Sequence, residues 1–198
     1  MRIPTTWIQA NGNLVPRVRL LLLFVAYVSM GAYLYFQGQP LICECGYIKI
    51  WENEIMSSGN SQHIADWYTL SHFLHGVLIV LIWRLFFPKL PMRYAFLIGI
   101  VTAVSWEVIE HTDYVLERFR EATISLGYFG DSVLNSVADA IFMSIGLYTA
   151  TRLRLAHIFV VFFVLEVISA TFARDSLLLS TLMLVHPVEE VKTWQMDR

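Results

Sequence analysis

From Leu20 onward the chain alternates long apolar runs with short polar connections. Runs of about 17 to 25 apolar residues match the thickness of bilayer hydrocarbon. Five such runs predict membrane spans over about 18–37, 69–88, 93–112, 133–151 and 156–173. The short connections make neighbouring spans antiparallel. Ser176 to Val185 is also apolar but too short to cross alone. Continued through Val188, Val191 and Trp194 it is expected to form a short sixth span over 176–194, the alternative being a helix lying at the interface. The pattern therefore predicts an all-α fold, a polytopic membrane helix bundle of five to six transmembrane helices in a single membrane domain over 1–198.

The composition agrees with this reading. At 57% hydrophobic and 15% charged residues, the chain is too apolar for an ordinary soluble domain. No stripe of Lys and Arg exists to meet a phosphate backbone, so a nucleic-acid partner is not expected. Basic residues cluster in alternate connections: Arg2, Arg17 and Arg19; Arg84, Lys89 and Arg93; Arg152 and Arg154. Cytoplasmic loops carry such an excess, which predicts a bacterial inner (plasma) membrane protein with its N-terminus cytoplasmic and segments 38–68 and 113–132 outside. Arg84, near the inner end of its span, is expected to reach water by snorkelling. The first run has the charge and apolar core of a signal peptide but no small-residue cleavage site, and is read as an uncleaved span. Ser61 is expected to cap the second span, and Gly127 and Gly130 to turn the chain into the fourth. Cys43 and Cys45 are the only cysteines. They are read as two free thiols in preference to a disulfide or a metal pair.

Polar residues inside the spans carry the candidate chemistry. Tyr68, His72 and His75 follow helical three-four spacing, as do Glu107, Glu110, His111 and Tyr114, and as do Asp131, Asn135 and Asp139. All three groups fall at the outer end of their spans, and Glu166 lies in the outer half of the fifth. At 1.5 Å per residue Asp139 lies about 12 Å below Asp131, and Glu107 about 6 Å below His111, so the deepest groups share a depth. Each charge at a span centre costs roughly 2.5 to 3.5 kcal/mol on insertion scales, so several together call for partners, water or a ligand.

Each residue taken alone also fits plain packing: a membrane His as an interhelical hydrogen-bond partner, Asp131 as a helix cap, Glu107 with His111 as a structural pair. Taken together they predict an outer-leaflet cavity. His72, His75, Glu107, His111 and Asp139 are candidate ligands of a divalent metal (zinc, manganese or iron), Glu110 and Asp131 candidate general bases, and Asn135 and Glu166 further cavity walls. Trp51, Trp67, Tyr68 and Trp106 suit an interfacial belt, and Trp67 and Trp106 also suit cavity walls. Three functions follow as alternatives. One is an intramembrane metal-dependent enzyme on a lipid or envelope substrate, with a metal-free variant using a proton-sharing carboxylate pair. The others are a proton-coupled transporter or lipid-binding module, and a structural membrane protein. Membrane lipids are the expected partners, with a homo-oligomer or a membrane partner as a further possibility.

The stretches SQHIADWYTLSHFLHG (61–76) and SWEVIEHTDYVLERFREATISLGYFGDSVLNSVADA (105–140) resemble those of a family of uncharacterised bacterial multi-pass inner-membrane proteins, above all in the GDSVLNSVAD block. The resemblance covers most of the chain and implies location and topology. A weaker similarity runs to VanZ-like membrane proteins of the cell envelope, through Asp66, His72, Glu107, Asn135, Asp139 and Gly146. The order of acid and amide is reversed here, Phe142 stands where that pattern has Gly, and the preceding Arg is missing. That likeness implies a shared helical-hairpin arrangement.

Overall fold

Asp66 sets the start of the second span. Its carboxylate accepts the N–H groups of Tyr68 and Thr69, while the Thr69 hydroxyl accepts the Asp66 N–H, so two free donors of the first turn are satisfied reciprocally. Ser61, expected as the cap, instead donates its N–H to Asp66 Oδ2 at 2.8 Å from a left-handed turn. Ser132 caps the fourth span by accepting the Asn135 N–H, and Pro16 opens the first, where its missing N–H costs nothing.

The computed structural model describes residues 15–125 and 127–197, so Arg2 lies outside the described residues. The described residues form helices α1 (Pro16–Phe36), α2 (Trp67–Phe86), α3 (Met92–Glu110), α4 (Asp113–Ala122), α5 (Val133–Arg152), α6 (Leu155–Phe172), α7 (Leu177–Val185) and α8 (Glu189–Met196), with no strand among them. Of these, α1, α2, α3, α5 and α6 are long and apolar enough to cross a membrane. Chain alternation brings the C-termini of α1, α3 and α6 and the N-termini of α2 and α5 to one end. Segment 37–66 and α4 join the helices there, and we call it the capped end. Arg17, Arg19, Arg84, Lys89, Arg93, Arg152 and Arg154 belong to the opposite end. Arg84 does more than reach for water: its guanidinium donates to the carbonyls of Leu153 and Thr151, oxygens that the end of α5 leaves unpaired.

The parallel pair α2 and α5 forms the centre, half buried where α1, α3 and α6 are only about a fifth buried. The two backbones touch. A Cβ on Gly76 would lie 2.0 Å from the Met143 carbonyl oxygen, and one on Gly146 would lie 2.0 Å from that of Phe73. In lipid no hydrophobic effect drives helices together, so such close approach supplies the packing energy. Leu74, Val77, Leu147, Ile158 and Phe162 pack around the contact, while Tyr27, Met30, Ala103 and Met143 join α1 and α3 to α5. The outward faces stay apolar, with Leu20, Phe24, Val101, Phe163 and Val167 exposed.

The tail departs from the expected sixth span. It breaks at His186–Val188, around Pro187, into the nine-residue α7 and the eight-residue α8. At 1.5 Å per residue α7 is about 14 Å long, under half of a bilayer's hydrocarbon. It packs against α2 and α4 at the capped end, where Arg118 donates to the Leu184 carbonyl at 2.9 Å and Lys192 to that of Glu121. Cys43 and Cys45 also differ from expectation, being joined as a disulfide.

Gly146→Ala and Gly76→Ala are each expected to destabilise the bundle by about 3 kcal/mol, the upper end of ordinary overpacking, because the new methyl meets backbone and not a movable side chain. Thermal melts in detergent check this. Gly127→Ala, with open space around the site, serves as the near-neutral comparison.

Candidate functional site

Between the glycine contact and the capped end, α2, α3 and α5 enclose a cavity of about 310 Å³. Helical spacing sets its polar wall. On α2, Tyr68, His72 and His75 face inward together, Glu110 comes from the last turn of α3, and Asp139 lies two turns into α5. Phe119 of α4 with Leu177, Leu184 and Val185 of α7 form an apolar wall, so the space is amphipathic. Neither Lys nor Arg lines it among the described residues.

His72 is the hub. Its Nδ1 lies 3.7 Å from Glu107 Oε1 and its Nε2 lies 3.8 Å from Asp139 Oδ2, so a carboxylate faces each ring nitrogen. Donor atoms of His72, Glu107 and Glu110 all fall within 4.8 Å of one another. Ligands about 2.0 to 2.2 Å from one tetrahedral ion stand roughly 3.4 Å apart, so small side-chain movements close these three on a cation. The groups are buried, Glu107 and Asp139 being only 1% exposed. Even so, Glu107 Oε2, Glu110 Oε2 and Asp139 Oδ1 have no hydrogen-bond partner. A buried, unpaired carboxylate oxygen is costly, and a bound cation removes that cost.

Tyr128 joins two more acids. Its hydroxyl lies 2.7 Å from Asp131 Oδ1 and 3.1 Å from Glu110 Oε1. One hydroxyl proton serves only one of them, so the second contact needs a carboxyl proton or a change of geometry. Burial pushes the Asp131 carboxyl above its usual range and the Tyr128 phenol well above its own, where the Asp131 charge adds to the effect.

Other expected site residues have different tasks. His111 is not available to a metal. Its Nδ1 is 2.6 Å from the Glu107 carbonyl, which accepts, and its Nε2 accepts the Asp131 N–H at 2.9 Å, so both ring nitrogens are engaged in clipping the end of α3 to the start of α5. Asn135 donates to the His63 carbonyl at 2.9 Å and ties segment 37–66 to α5 instead of walling the cavity. Glu166 also lies off the cavity, where its carboxylate accepts the Leu178 N–H at the start of α7. His75 lines the cavity beside Trp106, with ring centroids 6.1 Å apart, but stands outside the close donor cluster.

Asp66, Tyr128 and Asp175 escaped the sequence reading as site residues. Asp66 was legible as an acid before a helix, yet its burial beside Asp131 was not. Burial, opposed by the Ser61 N–H and reinforced by the Asp131 charge, raises its pKa from 3.8 to about 6. Asp175 accepts the Tyr68 hydroxyl at 3.2 Å and is likewise raised by burial to about 6. Its place, like that of the α7 wall, depends on the tail folding back, which no local pattern announces.

Both aspartates hold a proton in the folded chain at pH values where the unfolded chain has lost it. Their contribution is complete below about pH 4 and is lost as pH rises through about 6. Asp175→Asn removes one of these ionisations. Its stability relative to the unsubstituted protein is expected to rise by about 3 kcal/mol between pH 4 and pH 7, read from denaturation at each pH.

Comparisons with known proteins place this arrangement among relatives. The family described as "Protein of unknown function (DUF2585)" matches residues 34–197. A UPF0314 protein of Rhizobium meliloti is 46% identical over 161 residues, covering 81% of this chain and 82% of that protein. UPF0314 proteins of Paracoccus denitrificans and Brucella anthropi are 41% and 40% identical, over 87% and 88% of this chain and 89% of each relative. No solved structure matches the chain. The VanZ-like resemblance gains no support from these matches.

Proposed function

The chain belongs to the DUF2585 family of proteins of unknown function, and within it we propose that this protein is a metal-dependent enzyme of the bacterial inner membrane acting on a lipid or lipid-linked envelope substrate. The observation that carries the reading is the buried set His72, Glu107 and Glu110, with donor atoms within 4.8 Å and carboxylate oxygens left without partners, of which His72 and Glu110 line an amphipathic cavity.

In this reading His72, through Nδ1, with Glu107 and Glu110 would hold the cation. Asp139, 3.8 Å away on the Nε2 side, would take the imidazole N–H and set the ring's tautomer on a small closing movement, an arrangement common behind metal-bound histidines. Asp139 is then a positioning residue and not a ligand. A divalent cation also balances charge where no Lys or Arg lines the cavity. A cation held there would supply activation of water at near-neutral pH, and Asp131, whose Oδ1 accepts the Tyr128 hydroxyl, would be the base that takes the proton. The apolar wall from α4 and α7 suits an acyl or prenyl chain, and the polar wall suits a headgroup. Basic residues at the opposite end support an orientation in which the cavity belongs to the outer leaflet, with the N-terminus cytoplasmic.

A purely structural role for these groups fits less well. Asn135 and Glu166 also keep an unpaired oxygen, but Glu107, Glu110 and Asp139 gather theirs around one imidazole.

Elemental analysis of detergent-purified protein is expected to find about one divalent cation per chain. His72→Ala and Glu107→Gln should abolish retention, and Asp139→Asn should weaken affinity about 10- to 100-fold. Helical circular dichroism should be unchanged in all three. A metal-free protein that gains no affinity on titration with zinc, manganese or iron would sink the reading, as would variants that bind as well as the parent.

A further inference from the structure

A second cluster of ligating atoms lies in segment 37–66, apart from the cavity. Cys43 and Cys45, two positions apart and joined as a disulfide, have unequal surroundings: Cys43 is buried and Cys45 exposed. The Cys45 N–H points at Cys43 Sγ from 3.2 Å. His63 brings a ring nitrogen within 4.8 Å of both sulfurs. The ring is 1% exposed and stacks on Tyr47, with centroids 5.6 Å apart. Its Nδ1 takes only a long 3.3 Å contact from the Lys49 N–H, and its Nε2 has no hydrogen-bond partner.

We propose that Cys43, Cys45 and His63 form a redox-controlled site for a thiophilic cation, zinc or copper(I), closed while the disulfide holds and opened by its reduction. Two thiolates and an imidazole on one zinc ion lie roughly 3.5 to 4 Å from one another, so the present spacing needs little change once the sulfur–sulfur bond no longer holds the sulfurs together. Soft thiolates select such cations over the harder ions that suit carboxylates, so this site and the His72 cluster differ in taste.

The opening reaction is thiol–disulfide exchange with a dithiol reductant. A thiolate of the reductant attacks exposed Cys45 Sγ, the Cys45–Cys43 bond breaks, and its electron pair passes to Cys43 Sγ, where the Cys45 N–H stabilises the charge. The second thiol of the reductant then releases Cys45 and leaves as a disulfide. Two electrons and two protons have moved to the protein, and the cation displaces those protons as it binds Cys43, Cys45 and His63.

The test titrates cobalt(II) alone into the full-length protein in detergent, as purified and after reduction by a water-soluble phosphine under argon. Sulfur-to-cobalt charge-transfer absorption reports thiolate ligation and is not produced by carboxylate and imidazole ligands. It is expected only in the reduced protein, at one equivalent. Cys45→Ser should abolish it and His63→Ala should weaken binding at least about tenfold, with helical circular dichroism retained. Reduced protein without the absorption overturns the proposal, as does His63→Ala binding cobalt as tightly as the parent. Alkylation that labels both cysteines before reduction also overturns it. The redox comparison uses the unsubstituted chain, so it stands even where a variant fails to fold.

Discussion

Backbone contact between α2 and α5 at Gly76 and Gly146 governs what forms above it. A Cβ on either glycine would overlap the facing helix's backbone, so this approach of the two helices requires glycine at both positions. His72 lies four residues toward the capped end on α2, about 6 Å along the axis, and Asp139 seven residues toward it on α5, about 10 Å. These offsets bring the His72 Nε2 edge to Asp139. Glu107 reaches the other edge of the ring because α3 packs on α5 through Gly99, against Leu147. A helix pair held at a greater distance, by side chains in place of glycines, leaves the imidazole between two carboxylates too far away to act with it.

The acids of the capped end divide into two kinds, and the division has meaning. Asp66 receives three backbone N–H groups, from Ser61, Tyr68 and Thr69. Asp175 has Tyr68 and the Ser176 N–H, and Asp131 has Tyr128. These are carboxylates whose burial is offset by ordinary donors. Glu107, Glu110 and Asp139, set around His72, each keep an oxygen without a hydrogen-bond partner, and so does Glu166 at the start of α7. The unpaired carboxylate oxygens are thus most concentrated about His72. Buried polar groups left so in a packed bundle cost stability, and a function that uses them is the economical account of their retention.

Span positions were legible because hydropathy and length report directly on lipid exposure. The expected 18–37, 69–88, 93–112, 133–151 and 156–173 fall within about two residues of α1, α2, α3, α5 and α6. Side-chain roles were legible only while the helix continued. Glu107 and His111 are i,i+4 neighbours on paper, but α3 ends at Glu110, and His111, one residue beyond, turns its ring back to the Glu107 carbonyl. Glu166 shows a second limit. Its depth along α6 matched the other acids, yet its direction around the axis faces the start of α7, and depth alone carries no direction. The tail shows a third, since apolar continuity suggested one helix where a break at Pro187 and long-range bonds to carbonyls of α4 and α7 favoured two. Cysteine pairing was similarly hidden, because two sulfurs two residues apart fit thiols, bridge or ligands equally well until the surrounding turn is known.

The folded-back tail changes the chemistry open to the cavity. Without α7 the polar cluster would face a cleft walled by α2, α3 and α5, where bulk water hydrates the carboxylates and competes for any cation. With α7 in place, Leu177, Leu184 and Val185 close one side and exclude water, while Ser180 and Thr181 of the same helix keep hydroxyls on the cavity surface. Lower local dielectric strengthens the attraction between the acids and a cation, and an apolar wall selects molecules with a hydrocarbon part. The fastening of α7 is also suited to such a wall. Arg118 donates to the Leu184 carbonyl and Glu166 accepts the Leu178 N–H, so two of the bonds that hold the helix are to its main chain, while Lys192 ties α8 to the Glu121 carbonyl of α4.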